Sequence, residues 1–366
     1  MKMPASALER ARKLHESAVD YCSQGHYRKA QSLCLRSLAI LKRACGRRHP
    51  DIAIVTNTLA ASYEAKGDYT EAERLCRQSI KSLKRVQGNP DKDVLRVELL
   101  RRLGSIKVLQ SRYRLAERYF RKALALAAKS LGRDNVEASA VLNGLGMLCK
   151  YTGRFNEAEQ FYRRALSIVR RTLAPNHPDV AAIYHNLGGV EHSLGRYARG
   201  ERFARRSVRI REKALGPTHP QVAADIAALA AILDGQGKFK ESERLYHRAL
   251  AIFHRTYGPA HYEIAVNLNN LAAINQARRR YREAEGQYRR ALAIKRRLFG
   301  VNHPDVAVTL NNLALLCQAT GRLKTAGALY RQAFAIFKKA LGTRHPNSVA
   351  CRENYTRLLQ NVSPRA

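Results

Sequence analysis

Acidic residues are scarce in this chain: 29 Asp and Glu stand against 66 Lys and Arg, a formal net charge of +37. Such an excess admits nucleic acid, anionic membrane or acidic protein as partners. Cysteine is also sparse. The seven are an odd number with no CxxC or CxxxC spacing, which excludes a disulfide framework and a zinc signature. A reducing, cytoplasmic location is therefore expected. No apolar run approaches the roughly 18 residues of a membrane span, and the first residues, MKMPASALERARKLHES, lack a signal-peptide core. An integral membrane protein is excluded on that ground. No GxSxG, GxxxxGK[ST], HExxH or Ser/His/Asp set occurs, so neither catalysis nor a cofactor is expected.

What the chain does have is a period. His177, His219, His261, His303 and His345 follow one another at steps of 42 residues. Self-similarity of that length marks a stacked array, which grows by adding units rather than by enlarging one core. A G-x-aromatic turn measures the same period. Its first slot falls at Gly25, Gly67, Ser111, Gly153, Gly195, Gly237, Arg279 and Gly321. Two copies lack the glycine that a left-handed helix end favours. One step is 44 residues, with the extra two between Gly88 and Leu103, in or near NPDKD.

Helix A precedes each turn. Its mark is a Leu eight residues before the turn slot, from Leu59 and Leu103 to Leu313, followed by a small residue such as Ala60, Gly146 or Ala314. Another apolar residue three positions earlier completes one helical face. Helix B follows the turn with a small-x3-large-x2-small pattern, as in Ala158, Tyr162 and Ala165. Cys34 and Cys76 occupy the large slot and read as packing residues. Helix B ends at Gly in most copies, Gly88 among them, with Ala174 the exception. The next helix A often opens with His-Pro, where proline sacrifices no hydrogen bond. The expectation is an all-α solenoid of about eight helix-turn-helix repeats over residues 5–344. A capping helix over 345–360 and a frayed tail at 363–366 complete it.

The segments AIYHNLGGVEHSLGRY (182–197), NLNNLAAINQARRRY (267–281) and VTLNNLALLCQATGRL (308–323) carry a family resemblance. They resemble the tetratricopeptide repeat (TPR), in the 42-residue form of kinesin light chains and nephrocystin. The resemblance implies a right-handed superhelix, with helices A lining a concave groove and helices B the convex back. Kinesin light chains bind short, in part aromatic-acidic, cargo peptides in that groove. An N-terminal heptad coiled coil is missing here, so cargo transport does not follow.

The groove positions implied by the family lie just before the helix A Leu. They read Asn57-Thr58, Arg101-Arg102, Asn143-Gly144, His185-Asn186, Ala227-Ala228, Asn269-Asn270 and Asn311-Asn312. Nearly two turns on come Lys150, His192, Asp234, Gln276 and Gln318. Asn offers a donor and an acceptor, which suits an extended peptide backbone; its other role is to bond neighbouring helices A. Arg101, Arg102 and Lys150 make the N-terminal half basic, and the C-terminal half reads as neutral-polar. A non-catalytic scaffold for an acidic or aromatic-acidic peptide or protein segment is the favoured function.

The other groups read as structural. Six of the twelve histidines sit one per repeat, too far apart to share a metal. The Glu pairs at 71/73, 157/159, 241/243 and 283/285 suit a helix start. The alternative function uses the doubled basics of helix B: Arg121-Lys122, Arg163-Arg164, Arg205-Arg206, Arg289-Arg290, Arg170-Arg171 and Lys295-Arg296-Arg297. On a convex face they would bind nucleic acid or anionic membrane without sequence preference. Few aromatics are placed to stack bases, so nucleic acid ranks second.

Overall fold

The computed structural model describes residues 5–46, 49–83 and 92–362. Gly88, the first part of NPDKD and the 363–366 tail lie outside the described residues. Among the described residues the chain forms seventeen α-helices and no strand. They run in order as α1 (Ala5–Ser23), α2 (Tyr27–Cys45), α3 (Pro50–Ala65), α4 (Tyr69–Leu83), α5 (Lys92–Leu109) and α6 (Tyr113–Ser130). Next come α7 (Val136–Tyr151), α8 (Phe155–Thr172), α9 (Pro178–Ser193), α10 (Tyr197–Leu215), α11 (Pro220–Gly235) and α12 (Phe239–Tyr257). The last are α13 (Tyr262–Ala277), α14 (Tyr281–Phe299), α15 (Pro304–Ala319), α16 (Leu323–Leu341) and α17 (Pro346–Val362). Two compact units divide the chain: Met1–Tyr151 with Asn156–Pro175, and Asn176–Ala366 with the turn Thr152–Phe155.

The helix starts follow from their caps. His49, His177, His219, His261 and His303 each accept a hydrogen bond at Nδ1 from the backbone N–H two residues on, at 3.2–3.3 Å. His345 does the same toward Asn347 at 3.1 Å. Each ring thus satisfies an amide that the helix leaves without a partner. The turns are set by conformation rather than by glycine. Ser111 and Arg279 take the left-handed conformation at φ 58° and 60°, as Gly195 and Gly237 do at 71° and 74°. An L side chain in that region costs roughly 1–2 kcal/mol, which the packed helices on either side must offset.

Within each unit, every odd-numbered helix packs on the next odd-numbered helix. Even-numbered helices pack only on odd ones among the described contacts. Helices A therefore form an inner layer and helices B an outer one. The small residue after each helix A Leu admits a ring from helix B. A Cβ on Gly146 would stand 2.5 Å from the Tyr162 ring, and one on Gly104 would stand 2.7 Å from the Phe120 ring. Where the large slot holds Ala204, backbones meet instead: a Cβ on Gly188 would lie 3.4 Å from the Gly200 carbonyl. Cys34 and Cys76 are fully buried in that slot, and burial pushes both thiols up to about 12. They pack as small apolar groups.

Helix B carboxylates tie consecutive repeats together. Glu73 holds Arg77 of its own helix at 2.9 Å and the fully buried Lys107 of the next repeat at 2.5 Å. Glu201 holds Arg205 and Lys238, and Glu285 holds Arg289 and Arg322. Glu243 bridges to Arg278 and Arg280. Each carboxylate thus spans a repeat boundary, a role the helix-start reading does not include.

Candidate inner-face binding site

The inner face is built from helix A side chains that stand beside, not within, the Leu-small packing stripe. Its residues differ sharply in how far their polar groups are already engaged. In the first unit, Arg102 is only 12% exposed in its side chain and is committed within the fold. It donates to Asn57 Oδ1 at 3.0 Å, Glu64 at 2.6 Å and Glu98 at 3.3 Å. Its charge closes an internal network across α3 and α5, with one carboxylate in excess. Arg101 and Asn143 are half-buried and also hold neighbours. Lys150 is different. It is half-buried, and no carboxylate pairs with it among the described residues; burial pushes its ammonium below the ordinary lysine value.

In the second unit, His185 Nδ1 meets Asp225 Oδ1 at 2.8 Å, and Asp225 forms an ion pair with Arg211 at 3.0 Å. Asp225 and Arg211 are buried, so their opposite charges compensate each other out of water. Glu263 on α13 feels the His185 charge, yet burial pushes its carboxyl above the ordinary value. Asp234, in the last turn of α11, is pushed up to about 6 by burial. The helix C-terminus opposes a carboxylate there too. Beside the neutral-polar residues expected there, the helices A of that unit carry three carboxylates: Asp225, compensated by Arg211, and Asp234 and Glu263. Two lie at positions whose sequence context, helix start and mid-helix, reads as structural.

The remaining predicted residues divide between contact and access. His192 packs edge-on against Tyr197, ring centroids 5.5 Å apart. Asn186 is half-buried and partnered. Asn269 is buried with its Oδ1 unbonded, while Asn270 is half-buried beside the Tyr246 hydroxyl. Asn311 faces Asn312 and Asn354, each at 3.5 Å, so α15 and α17 share an amide contact. Sequence reasoning passed over a ladder of tyrosine hydroxyls. Tyr288 donates to Gln276 at 3.4 Å and Tyr330 to Gln318 at 3.1 Å, each across a 12-residue spacing. The recurring interval of twelve residues between the position five after the helix A Leu and the large slot of helix B is the signal that would reveal it.

The outer face needs one correction. Lys295 is buried, not outward: its ammonium donates to the Asp305 carbonyl at 3.3 Å and Thr309 Oγ1 at 3.0 Å. Arg121, Arg163, Arg205 and Arg289, the first of each doublet, pair with the Glu four residues before. Their neighbours Lys122, Arg164, Arg206 and Arg290 are exposed. Among the described residues no group of three or more His, Cys, Asp or Glu could hold a metal. No helix there is long and apolar enough to cross a membrane.

The family model described as Tetratricopeptide repeat matches residues 9–85, 95–171, 139–213, 179–253, 224–297, 263–339 and 305–360. Among solved structures, NprR in complex with its cognate peptide NprX is 14% identical, with a TM-score of 0.62 over 85% of this chain and 88% of that one. A Rap protein complexed with competence and sporulation factor is 11% identical, with a TM-score of 0.60 over 96% and 98%. The nearly identical TPR-like repeats of a putative kinesin light chain from Podosopora anserina are 22% identical over 68% of this chain and 98% of that one, with a TM-score of 0.32. The helix A and helix B marks recur through all the matched segments, and the chain belongs to the tetratricopeptide repeat family.

Proposed function

We propose that this chain is a non-catalytic cytoplasmic scaffold that holds an extended peptide or protein segment along its inner face. In the first unit, the favoured ligand presents a carboxylate. The observation that carries this is Lys150, a half-buried cation with no counter-charge among the described residues. A buried ammonium without a partner costs free energy, and a ligand carboxylate would recover it. The structures of NprR with NprX and of Rap with competence and sporulation factor support a ligand-binding use of this fold. The test is fluorescence anisotropy of the intact chain with a labelled Glu/Tyr-rich decapeptide. Lys150→Glu should weaken binding at least about tenfold, the equivalent of one charge-assisted contact. Binding that ignores both Lys150→Glu and Asn186→Ala would overturn the assignment. Arg102 is a poor probe, since its reversal sets a third carboxylate beside Glu64 and Glu98.

A second reading rests on the exposed Lys122, Arg164, Arg206 and Arg290 together with the +37 excess. These would hold a polyanion on the outer layer. Affinity for a random duplex should then fall steeply between 50 and 200 mM salt, on the order of 10³-fold for six phosphate contacts. Arg164→Glu with Arg290→Glu should abolish it and spare the peptide. A duplex affinity unmoved by these reversals would remove this reading.

A further inference from the structure

The tyrosine ladder breaks where the earlier slot holds no glutamine, at Tyr246 as at Tyr162. In the repeats α13–α14 and α15–α16 the buried tyrosine of helix B donates to a glutamine twelve residues earlier. In the repeat α11–α12 the same two slots hold Tyr246 and Asp234. Aspartate is one methylene shorter than glutamine. The Tyr246 side chain is completely buried, and its hydroxyl has no hydrogen-bond partner. Asp234 has no cation or donor on its carboxylate among the described residues, although it senses the tyrosine behind it. Asn270, from the next helix A, approaches the same hydroxyl without completing a bond.

Two basic side chains at neighbouring turns are engaged elsewhere. Lys238, beyond the turn, pairs with Glu201 at 3.1 Å, and Arg280 pairs with Glu243 at 2.7 Å. Among the described residues, nothing therefore answers Asp234. Three polar groups converge: a carboxylate and an amide that are half-buried, and a hydroxyl buried behind them. A carboxylate only accepts, and the amide and hydroxyl each offer an oxygen that can accept. A compact group with several donors and a positive charge completes such a set, and a primary ammonium has three donors on one atom.

We propose that Asp234, Asn270 and the Tyr246 hydroxyl form a subsite of the inner face that takes the primary ammonium of a bound peptide, from a lysine side chain or the peptide's amino terminus. The subsite rests on the inner-face reading of function and adds a second chemical demand to it. The carboxylate would receive the ion pair, Asn270 would accept one N–H bond, and the Tyr246 hydroxyl, unbonded among the described residues, would gain a hydrogen-bond partner. A buried polar group without a partner is costly, so ligand binding relieves an imperfection that the glutamine repeats do not have.

The test is peptide-display selection on the full chain, followed by titration of the selected peptides against wild type and Asp234→Gln. The glutamine variant restores the side chain found at positions 276 and 318, and so should fold as the neighbouring repeats do; circular dichroism melting checks this. Wild type should select peptides with lysine at one fixed position or with an unblocked amino terminus. Asp234→Gln should weaken those peptides at least about tenfold. Replacing the lysine by norleucine should have the same effect on wild type and none on the variant. Acetylating the amino terminus separates the two ammonium sources. Selected peptides that lack an ammonium preference, or bind Asp234→Gln as tightly, mean that the site holds only water. That result overturns the subsite and leaves the inner-face reading standing. If no peptide is selected, or none responds to any inner-face substitution including Lys150→Glu, the inner-face reading itself fails, and the subsite with it.

Discussion

Lys150 in the first unit and Asp234 in the second occupy one slot of the repeat, five residues after the helix A Leu. Each is half-buried and, among the described residues, lacks a counter-charge and belongs to a repeat whose buried tyrosine, Tyr162 or Tyr246, has an unbonded hydroxyl. Burial acts on both alike: it disfavours the charged form, lowering the ammonium and raising the carboxyl. The comparison teaches that backbone geometry sets where this side chain stands, while its charge is free of any folding requirement. Gln276 and Gln318 fill the same slot with a satisfied neutral amide. Departures from that amide leave a half-buried charge in its place.

The ion pairs behind the inner face give the largest contrast. Four residues after the helix A Leu, the first unit buries Lys107 against Glu73, whereas the second buries Glu191 with Arg199 at 3.2 Å. Lys107→Ala should lower stability by about 3 kcal/mol, since it leaves a partly buried carboxylate with one partner fewer. Urea unfolding should show the loss; a change below about 1 kcal/mol would mean that Arg77 alone suffices for Glu73.

Glycine substitutions sharpen the packing side of the comparison. Gly146→Ala should cost about 2 kcal/mol because the Tyr162 ring has to move. Gly188→Ala meets only ordinary contact and should be neutral, or stabilising by up to about 1 kcal/mol through helix propensity. Equal effects in thermal melts would show that both sites relax alike.

Titration separates Asp234 from an ordinary surface aspartate. Its carboxyl stands near 3.8 in the unfolded chain and about 6 in the fold. Below 3.8 it is protonated in both states and costs nothing. As pH rises from there toward 6, the unfolded chain loses the proton first and stability falls; the full penalty holds above 6. Asp234→Asn should therefore stabilise at pH 7.5 by about 1 kcal/mol, allowing for solvent screening of a half-exposed group. The gain should vanish below pH 4. A gain independent of pH would remove the charge explanation. The smallest effect is expected at the turns: Arg279→Gly relieves a left-handed side chain and should add roughly 0.5–1 kcal/mol. Ser111→Gly should match it in the other unit, and a destabilising result at either would mean that the side chain contributes more than its backbone strain costs.

The repeat and its slots are legible in the sequence. The period placed Lys150, His192, Asp234, Gln276 and Gln318 in one slot, and the histidine caps followed from His-Pro and the helix start. What could not be read was engagement. Arg102 looks like a free groove cation until Glu64, 38 residues away, and Glu98, four away, are seen to close on it. Lys295 looks outward because its neighbours are basic, yet it turns inward to the Asp305 carbonyl and Thr309.

By itself the sequence determined everything local and periodic: helix lengths, the turns, the small residues that receive rings, and the caps. These depend on interactions within a few residues or on a face repeated every 42 positions. Only the tertiary structure decided which polar groups are satisfied. That outcome depends on atoms brought together across repeat boundaries, and one methylene decides it. Gln276 accepts from Tyr288, whereas Asp234 falls short of Tyr246, and the buried hydroxyl is left without a hydrogen-bond partner among the described residues.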